Sequence, residues 1–115
     1  MIVEKPWGYE KIWAHTDKYV GKLLHINDGE QLSLQYHEVK DETVYIMYGT
    51  LTIVLDKEEH SNIILEEGNS YRITPNTLHR FAAKHGMVEL IEVSTPELDD
   101  VVRVQDDYGR ENAKV

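Results

Sequence analysis

The sequence predicts an all-β domain, a closed barrel or a two-sheet jelly roll, on two observations. Short segments rich in β-branched and aromatic residues recur along the chain, and turn sequences of Gly, Asn, Asp and Pro separate them every 8–12 residues or so. No segment between them has the length and periodicity of a crossover helix, which a parallel sheet requires. The pattern therefore excludes a doubly wound α/β fold.

The predicted strands occupy the middle of the chain. They cover residues 22–26, 31–37, 43–48, 50–55, 63–65, 70–73, 79–83 and 87–93. We expect a single domain with an N-terminal arm at 1–20, a barrel at about 21–95 and a tail at 96–115. Trp7 and Tyr9 are expected to anchor the arm on the barrel or on a second subunit. The acidic tail is expected to be solvated, and it is the only segment in which the sequence allows a short helix.

Composition excludes several function classes. Of the 115 residues, 41% are hydrophobic, and the absence of cysteine excludes disulfides, thiolate metal sites and cysteine nucleophiles. A net charge of −9 disfavours nucleic acid and anionic membranes as partners. The longest uncharged run is too short for a membrane span, and the N-terminus lacks the apolar core of a signal peptide. We therefore expect a cytoplasmic protein with no membrane partner.

Four polar side chains stand at strand positions that alternate with apolar residues. Gln35 and His37 share one face of their strand, Glu42 opens the next strand, and His79 begins a later one. If these side chains face the barrel interior, each needs a partner, because a buried polar group without one is costly. One metal ion bound by two imidazoles, a carboxylate and an amide oxygen satisfies all four, and this ligand set suits zinc, manganese, iron or nickel. A polar pocket without metal is the alternative.

The spacing of these residues resembles the first sequence motif of the cupin superfamily. That motif runs here from Gly29 through Gln35, His37 and Glu42 to Gly49. Glutamine at the first ligand position is similar to the zinc-dependent phosphomannose isomerases. The resemblance implies a double-stranded β-helix, the jelly-roll barrel of the cupins, and it favours zinc as the ion.

A second resemblance covers nearly the whole chain. The second cupin motif is matched in part, from Gly68 through Pro75 and Asn76 to His79, with Asn76 at a position where cupins have glycine. Asn tolerates positive φ better than most residues do. Further segments resemble the cupin part of bifunctional mannose-6-phosphate isomerase/mannose-1-phosphate guanylyltransferases: Lys5-Pro6-Trp7-Gly8-Tyr9-Glu10, Leu32–Gln35, His79-Arg80, Leu90–Val93, Asp99–Arg103 and Asp107–Arg110. The segment Lys40–Thr43 departs from those enzymes and is similar to stand-alone sugar-isomerase-like cupins.

The resemblance implies an aldose–ketose isomerase acting on a sugar phosphate, with mannose 6-phosphate as the expected substrate. In that chemistry the metal polarises the substrate carbonyl and a nearby base moves a proton between neighbouring carbons. Lys40 is the first candidate for the catalytic base and Glu92 the second, although Lys40 is equally compatible with a solvated loop. Arg80 and Lys40 are the candidates for binding the substrate, although a structural ion pair is the commoner role for a residue placed like Arg80.

Two alternative functions remain open at this point. A non-catalytic sugar-binding or accessory cupin in nucleotide-sugar or polysaccharide metabolism would account for the altered segment around Lys40. An iron-dependent oxygenase would use two His and one carboxylate, but Gln35 would occupy a position that oxygen needs. We also expect a homodimer, because closed two-fold dimers are the commonest assemblies.

Overall fold

The computed structural model describes residues 1–110, which form β-strands and no helix. The strands are β1 (Ile2–Lys5), β2 (Gly8–His15), β3 (Val20–Ile26), β4 (Leu34–Tyr36), β5 (Glu42–Tyr48), β6 (Leu51–Val54), β7 (Asn62–Leu65), β8 (Ser70–Ile73), β9 (Arg80–Ala82), β10 (Val88–Ser94) and β11 (Val102–Gln105). The all-β prediction is confirmed. The last five residues of the expected tail, 111–115, lie outside the described residues.

The strands form two antiparallel layers around one core. The first sheet has the order β1-β2-β3-β10-β5-β8, and the smaller sheets β11-β4 and β7-β6-β9 form the other layer. Backbone bridges between Gln35 and His79 and between Gln31 and Ala82 join β4 to the β9 segment, so the two smaller sheets act as one. Both layers contribute to a single buried cluster that includes Trp7, Leu24, Ile46, Ile53, Phe81 and Leu90. No helix in the described part of the chain is long and apolar enough to cross a membrane.

The expected arm and tail are structured as strands of these sheets. Residues 1–20 contribute β1 and β2, which extend the first sheet beyond β3, and the Trp7 side chain is 3% exposed within the core. The short helix that the sequence allows in the tail is absent from residues 96–110, where β11 pairs antiparallel with β4 instead. Asp106 in this segment is buried and bonded to Arg110, so the tail is not a simple solvated acidic stretch.

Two turn residues have backbone conformations that their positions require. Gly49, between β5 and β6, has a φ of 84°, and a Cβ built on it would lie 2.4 Å from the carbonyl oxygen of Met87. Only glycine fits there without moving β10. Asn76 has a φ of 63°, as expected of an Asn in place of glycine. Its backbone N–H donates to the carbonyl of His37 at 2.6 Å, which ties the turn before His79 to the end of β4.

Candidate metal centre and adjoining cavity

Three of the four predicted metal ligands meet inside the barrel. His37 follows the last residue of β4, Glu42 is the first residue of β5, and His79 directly precedes β9. One donor atom from each lies within 4.8 Å of the others. Oε1 of Glu42 is 3.6 Å from Nε2 of His37 and 3.3 Å from Nε2 of His79. All three side chains are buried, as the alternation of strand residues predicts.

Backbone carbonyls orient both imidazole rings. Nδ1 of His37 lies 2.5 Å from the carbonyl oxygen of Asp100, and Nδ1 of His79 lies 2.8 Å from that of Thr77. Because a carbonyl oxygen only accepts, we assign the ring proton to Nδ1 in each case, which leaves a lone pair on each Nε2. This is how proteins usually orient metal-binding histidines.

Two atoms that face the Glu42 carboxylate across this site, Nε2 of His37 and Nε2 of His79, are buried and lack hydrogen-bond partners. Buried polar atoms are rarely left unpaired. Imidazole nitrogens and a carboxylate oxygen are ligands suited to a divalent ion. The residues present therefore fit a metal ion, with both Nε2 atoms and the Glu42 carboxylate as its ligands.

Gln35, the fourth predicted ligand, flanks this group from β4. Its backbone exchanges two hydrogen bonds with His79, and its side chain lines the adjoining cavity. Its Oε1 accepts a hydrogen bond of 2.6 Å from the hydroxyl of Ser33, two residues earlier on the same face of the chain. Ligation by the Gln35 amide oxygen stays a prediction.

Lys40 and Glu92 form a buried ionic group next to Glu42. The Lys40 ammonium lies 3.2 Å from Oε2 of Glu42 and 3.3 Å from Oε2 of Glu92. Both Lys40 and Glu92 are 5% exposed, so the solvated-loop alternative for Lys40 does not apply. In the register of the first sheet, Glu92 stands opposite Lys22 on one side and Val44 on the other, which places it on the inward face.

Lys40, Glu42 and Glu92 shift one another's pKa values through their charges. Burial lowers the pKa of Lys40, but the carboxylates of Glu92 and Glu42 outweigh burial and raise it above its ordinary value. Burial raises the pKa of Glu42, but its contacts with His37 and His79 and the Lys40 charge bring it well below its usual range. Burial and the nearby Glu42 charge raise the pKa of Glu92. Lys40 is therefore a cation in this arrangement. To act as a base, Lys40 would instead need its pKa to be lowered by burial.

Arg80 does not line the cavity where substrate contact was expected. Its guanidinium is buried and donates to the carbonyl of Leu32 at 2.8 Å and to that of Gln105 at 3.2 Å. A longer ion pair of 3.8 Å reaches Asp107. Substrate binding by Arg80 stays a prediction. Because Arg80 alternates with the inward-facing His79, its side chain joins strands of the second layer in this structure.

A cavity of about 220 Å³ opens beside the triad of His37, Glu42 and His79. Gln35, His37 and Lys40 line part of it. Cationic residues that sequence reasoning did not single out line another part: Lys5, Lys22, Arg103 and Arg110. The one sequence signal for three of them, Lys5, Arg103 and Arg110, is that they lie in segments resembling the isomerase family. No local spacing points to a joint role, because Lys5 and Lys22 lie far along the chain from Arg103 and Arg110.

Comparison with known proteins assigns the family. The family described as "Mannose-6-phosphate isomerase C-terminal" matches residues 1–106. The chain is 35% identical over 113 residues to the mannose-1-phosphate guanylyltransferase of Escherichia coli K12, an alignment that covers 94% of this chain and 23% of that protein. The chain thus spans about a quarter of the length of the curated relatives it matches.

Solved structures confirm the fold. KdgF from Halomonas sp. superposes with a TM-score of 0.73 at 22% identity, covering 83% of this chain and 84% of that one. A double-stranded β-helix protein from Klebsiella pneumoniae superposes with a TM-score of 0.71 at 14% identity, covering 82% of this chain and 81% of that one. With the family match over nearly its whole length, the chain belongs to the mannose-6-phosphate isomerase C-terminal family and has the double-stranded β-helix of the cupins.

Proposed function

We propose that this chain is a metal-dependent aldose–ketose isomerase that acts on a sugar phosphate, with mannose 6-phosphate as the expected substrate. The observation that carries the proposal is the convergence of two unpartnered imidazole nitrogens and a buried carboxylate beside a cavity. A divalent ion held there supplies a Lewis acid that polarises a carbonyl oxygen. The family resemblance favours zinc, whereas the donor set also accepts manganese, iron or nickel.

The size of the cavity supports a single sugar as the ligand. Its volume of about 220 Å³ is below the roughly 300–1,000 Å³ of pockets that hold drug-sized ligands. A monosaccharide phosphate fits this scale better than an oligosaccharide or a nucleotide sugar. The site also lies at the end of rigid strands, which hold side chains in fixed positions relative to a bound substrate.

Lys40 and Glu92 are the candidates for handling protons in this proposal. Lys40 lines the cavity, and its ammonium can donate to a substrate oxygen as negative charge develops there. Glu92 is not among the residues that line the cavity, and its Oε2 lies 3.3 Å from the Lys40 ammonium. Glu92 can therefore position Lys40 or exchange a proton with it. This assigns Lys40 to substrate contact and Glu92 to its support.

The two carboxylates that contact the Lys40 ammonium favour a second candidate function, a non-catalytic sugar-binding or accessory cupin. An ammonium fixed by two carboxylates is well suited to binding a sugar hydroxyl and poorly suited to accepting a proton. In this function the same cavity would bind a sugar without converting it. The homodimer and the cytoplasmic location expected from the sequence stay predictions in both cases.

An isomerase assay separates the two functions. The protein is stripped with a chelator and reloaded with Zn²⁺, Mn²⁺, Fe²⁺ or Ni²⁺, and conversion of mannose 6-phosphate to fructose 6-phosphate is followed, with other aldose phosphates in parallel. We expect turnover with metal, none after chelation, and none in His37→Ala. Measurable sugar binding without turnover on any aldose phosphate would contradict the isomerase and support the binding protein. Oxygen uptake by the iron-loaded protein would instead support an oxygenase.

A further inference from the structure

The cavity beside the triad concentrates positive charge in an acidic protein. The chain has 12 Lys and Arg against 21 Asp and Glu, yet Lys5, Lys22, Lys40, Arg103 and Arg110 all line this one cavity. They come from β1, β3, the loop before β5, β11 and the residues after β11. The fold thus gathers cations from distant segments at a single site.

The carboxylates around this cluster do not neutralise it. Glu10 lies 3.4 Å from the Lys22 ammonium and 4.0 Å from that of Lys5. Asp106 binds Arg110 through two guanidinium bonds of 2.9 and 3.0 Å.

Lys40 is already balanced by Glu42 and Glu92, and Asp99 lines the cavity only as an exposed residue. Two carboxylates, those of Glu10 and Asp106, are buried or half-buried next to the remaining cations. Those cations are four: Lys5, Lys22, Arg103 and Arg110. Two positive charges are therefore in excess.

Burial and mutual repulsion lower the pKa values of two of these cations, Lys5 and Arg103. Burial lowers the pKa of Lys5, and the charges of Lys22, Arg103 and Arg110 lower it further, against the opposing effect of Glu10. Burial and the Arg110 charge likewise lower the pKa of Arg103. A bound anion would relieve this repulsion.

Arg103 gives the most specific indication of an anion. Its side chain is 8% exposed, and its Nε is buried without a hydrogen-bond partner. It leaves β11 opposite Gln35 of β4, a cavity residue next to the triad. A buried guanidinium with an unpaired N–H is costly unless a ligand accepts from it.

We propose that Lys5, Lys22, Arg103 and Arg110 form the subsite that binds the phosphoryl group of the substrate, in the cavity that His37 of the triad also lines. Two charges in excess match a dianionic phosphate monoester, and guanidinium groups bind phosphate oxygens through parallel hydrogen bonds. A carboxylate, as in a sugar acid, offers half that charge and fewer acceptor oxygens. This assignment deepens the proposed function and rests on it for the identity of the substrate.

The test measures binding of inorganic phosphate to the full-length chain by calorimetry, before and after chelator treatment, with acetate as the carboxylate probe. We expect phosphate to bind in both states and to bind more tightly than acetate. Arg103→Gln should weaken phosphate binding about tenfold, since it removes hydrogen bonds to a charged group. Lys5→Gln, at a half-buried position, should weaken it about threefold. Lys84→Gln is the matched control, because Lys84 pairs with Glu59 away from the cavity.

The outcomes separate this subsite from the isomerase proposal. Absence of phosphate binding, equal weakening in Lys84→Gln, or acetate binding as tightly as phosphate would each overturn the subsite. Phosphate binding that depends on Arg103 and Lys5 in a protein without isomerase turnover would support the subsite and contradict only the isomerase. Turnover that Lys5→Gln leaves unchanged in KM would overturn only the subsite.

Discussion

Asp100 holds the loop that connects two of the metal-ligand candidates, and its own carbonyl orients His37. The carbonyl oxygen accepts from Nδ1 of His37, while the carboxylate accepts from the backbone N–H groups of Glu38, Val39 and Lys40 at 2.7–3.0 Å. One residue therefore fixes both the ring of His37 and the path of the chain toward Glu42. A residue expected to be solvated is thus a structural support of the candidate site.

We predict that Asp100→Ala lowers metal affinity. Loss of the carboxylate frees three backbone N–H groups, and supporting groups behind metal ligands are typically worth about 10–100-fold in affinity. The affinity is measured by competition with a chromophoric chelator. Asp17→Ala, an exposed carboxylate in the turn between β2 and β3, is the control. Unchanged affinity in Asp100→Ala would mean that the loop keeps its conformation without this carboxylate.

We predict that His37→Ala abolishes the stabilisation of the fold by metal. At a free metal concentration of 100 times Kd, binding contributes about 2.7 kcal/mol, which corresponds to a rise in Tm on the order of 10 °C for a domain of this size. The Tm is measured by differential scanning calorimetry with and without Zn²⁺. His60→Ala, at an exposed position, should retain the full rise. A similar rise in His37→Ala would place the ion elsewhere.

We predict that Lys40→Met strongly destabilises the metal-free protein. Removing the ammonium leaves Glu42 and Glu92 buried near one another without their common partner, and breaking a buried ion pair in this way costs about 3–5 kcal/mol. The free energy of unfolding is measured in urea. The double variant Lys40→Met/Glu92→Leu should recover a large part of the loss, because it removes one of the two carboxylates. If the double variant is as unstable as the sum of both single variants, the two residues are not coupled.

We predict that Asp106 contributes stability that is lost in acid. Burial raises its pKa, but the hydrogen bonds and charge of Arg110 outweigh burial and bring it below its ordinary value. Its contribution is therefore complete above an unfolded-state pKa of about 4 and disappears as the pH falls through the lower folded-state pKa. Asp106→Asn should be less stable than the natural chain at pH 7, and the difference should shrink in urea titrations below pH 4. A difference that is constant with pH would contradict this account.

The sequence predicted the triad because local rules govern its positions. Alternation along a strand placed Glu42 with the buried Val44 and Ile46, and His79 with the buried Phe81. The boundaries of β8 and the positive φ of Asn76 were also predicted and are confirmed.

The sequence did not predict strands β1, β2 and β11, for two different reasons. The alternately exposed residues of β1 and β2 include the apolar Ile2 and Trp13 as well as the charged Glu4 and Lys11, so these strands lack a clear alternation of apolar and polar residues. Strand β11 lies among aspartates, and its partner β4 is more than sixty residues away. The cationic group of the cavity escaped prediction for the same reason, because Lys5 and Arg103 meet only after the barrel has closed.

The most direct measurement is elemental analysis of the purified protein together with an anomalous-scattering map of its crystals. A bound transition-metal ion should be present at about one per chain, with its peak between Nε2 of His37, Nε2 of His79 and the carboxylate of Glu42. A metal-replete crystal with no anomalous peak among these atoms, or with the three side chains turned away from one another, would contradict the account.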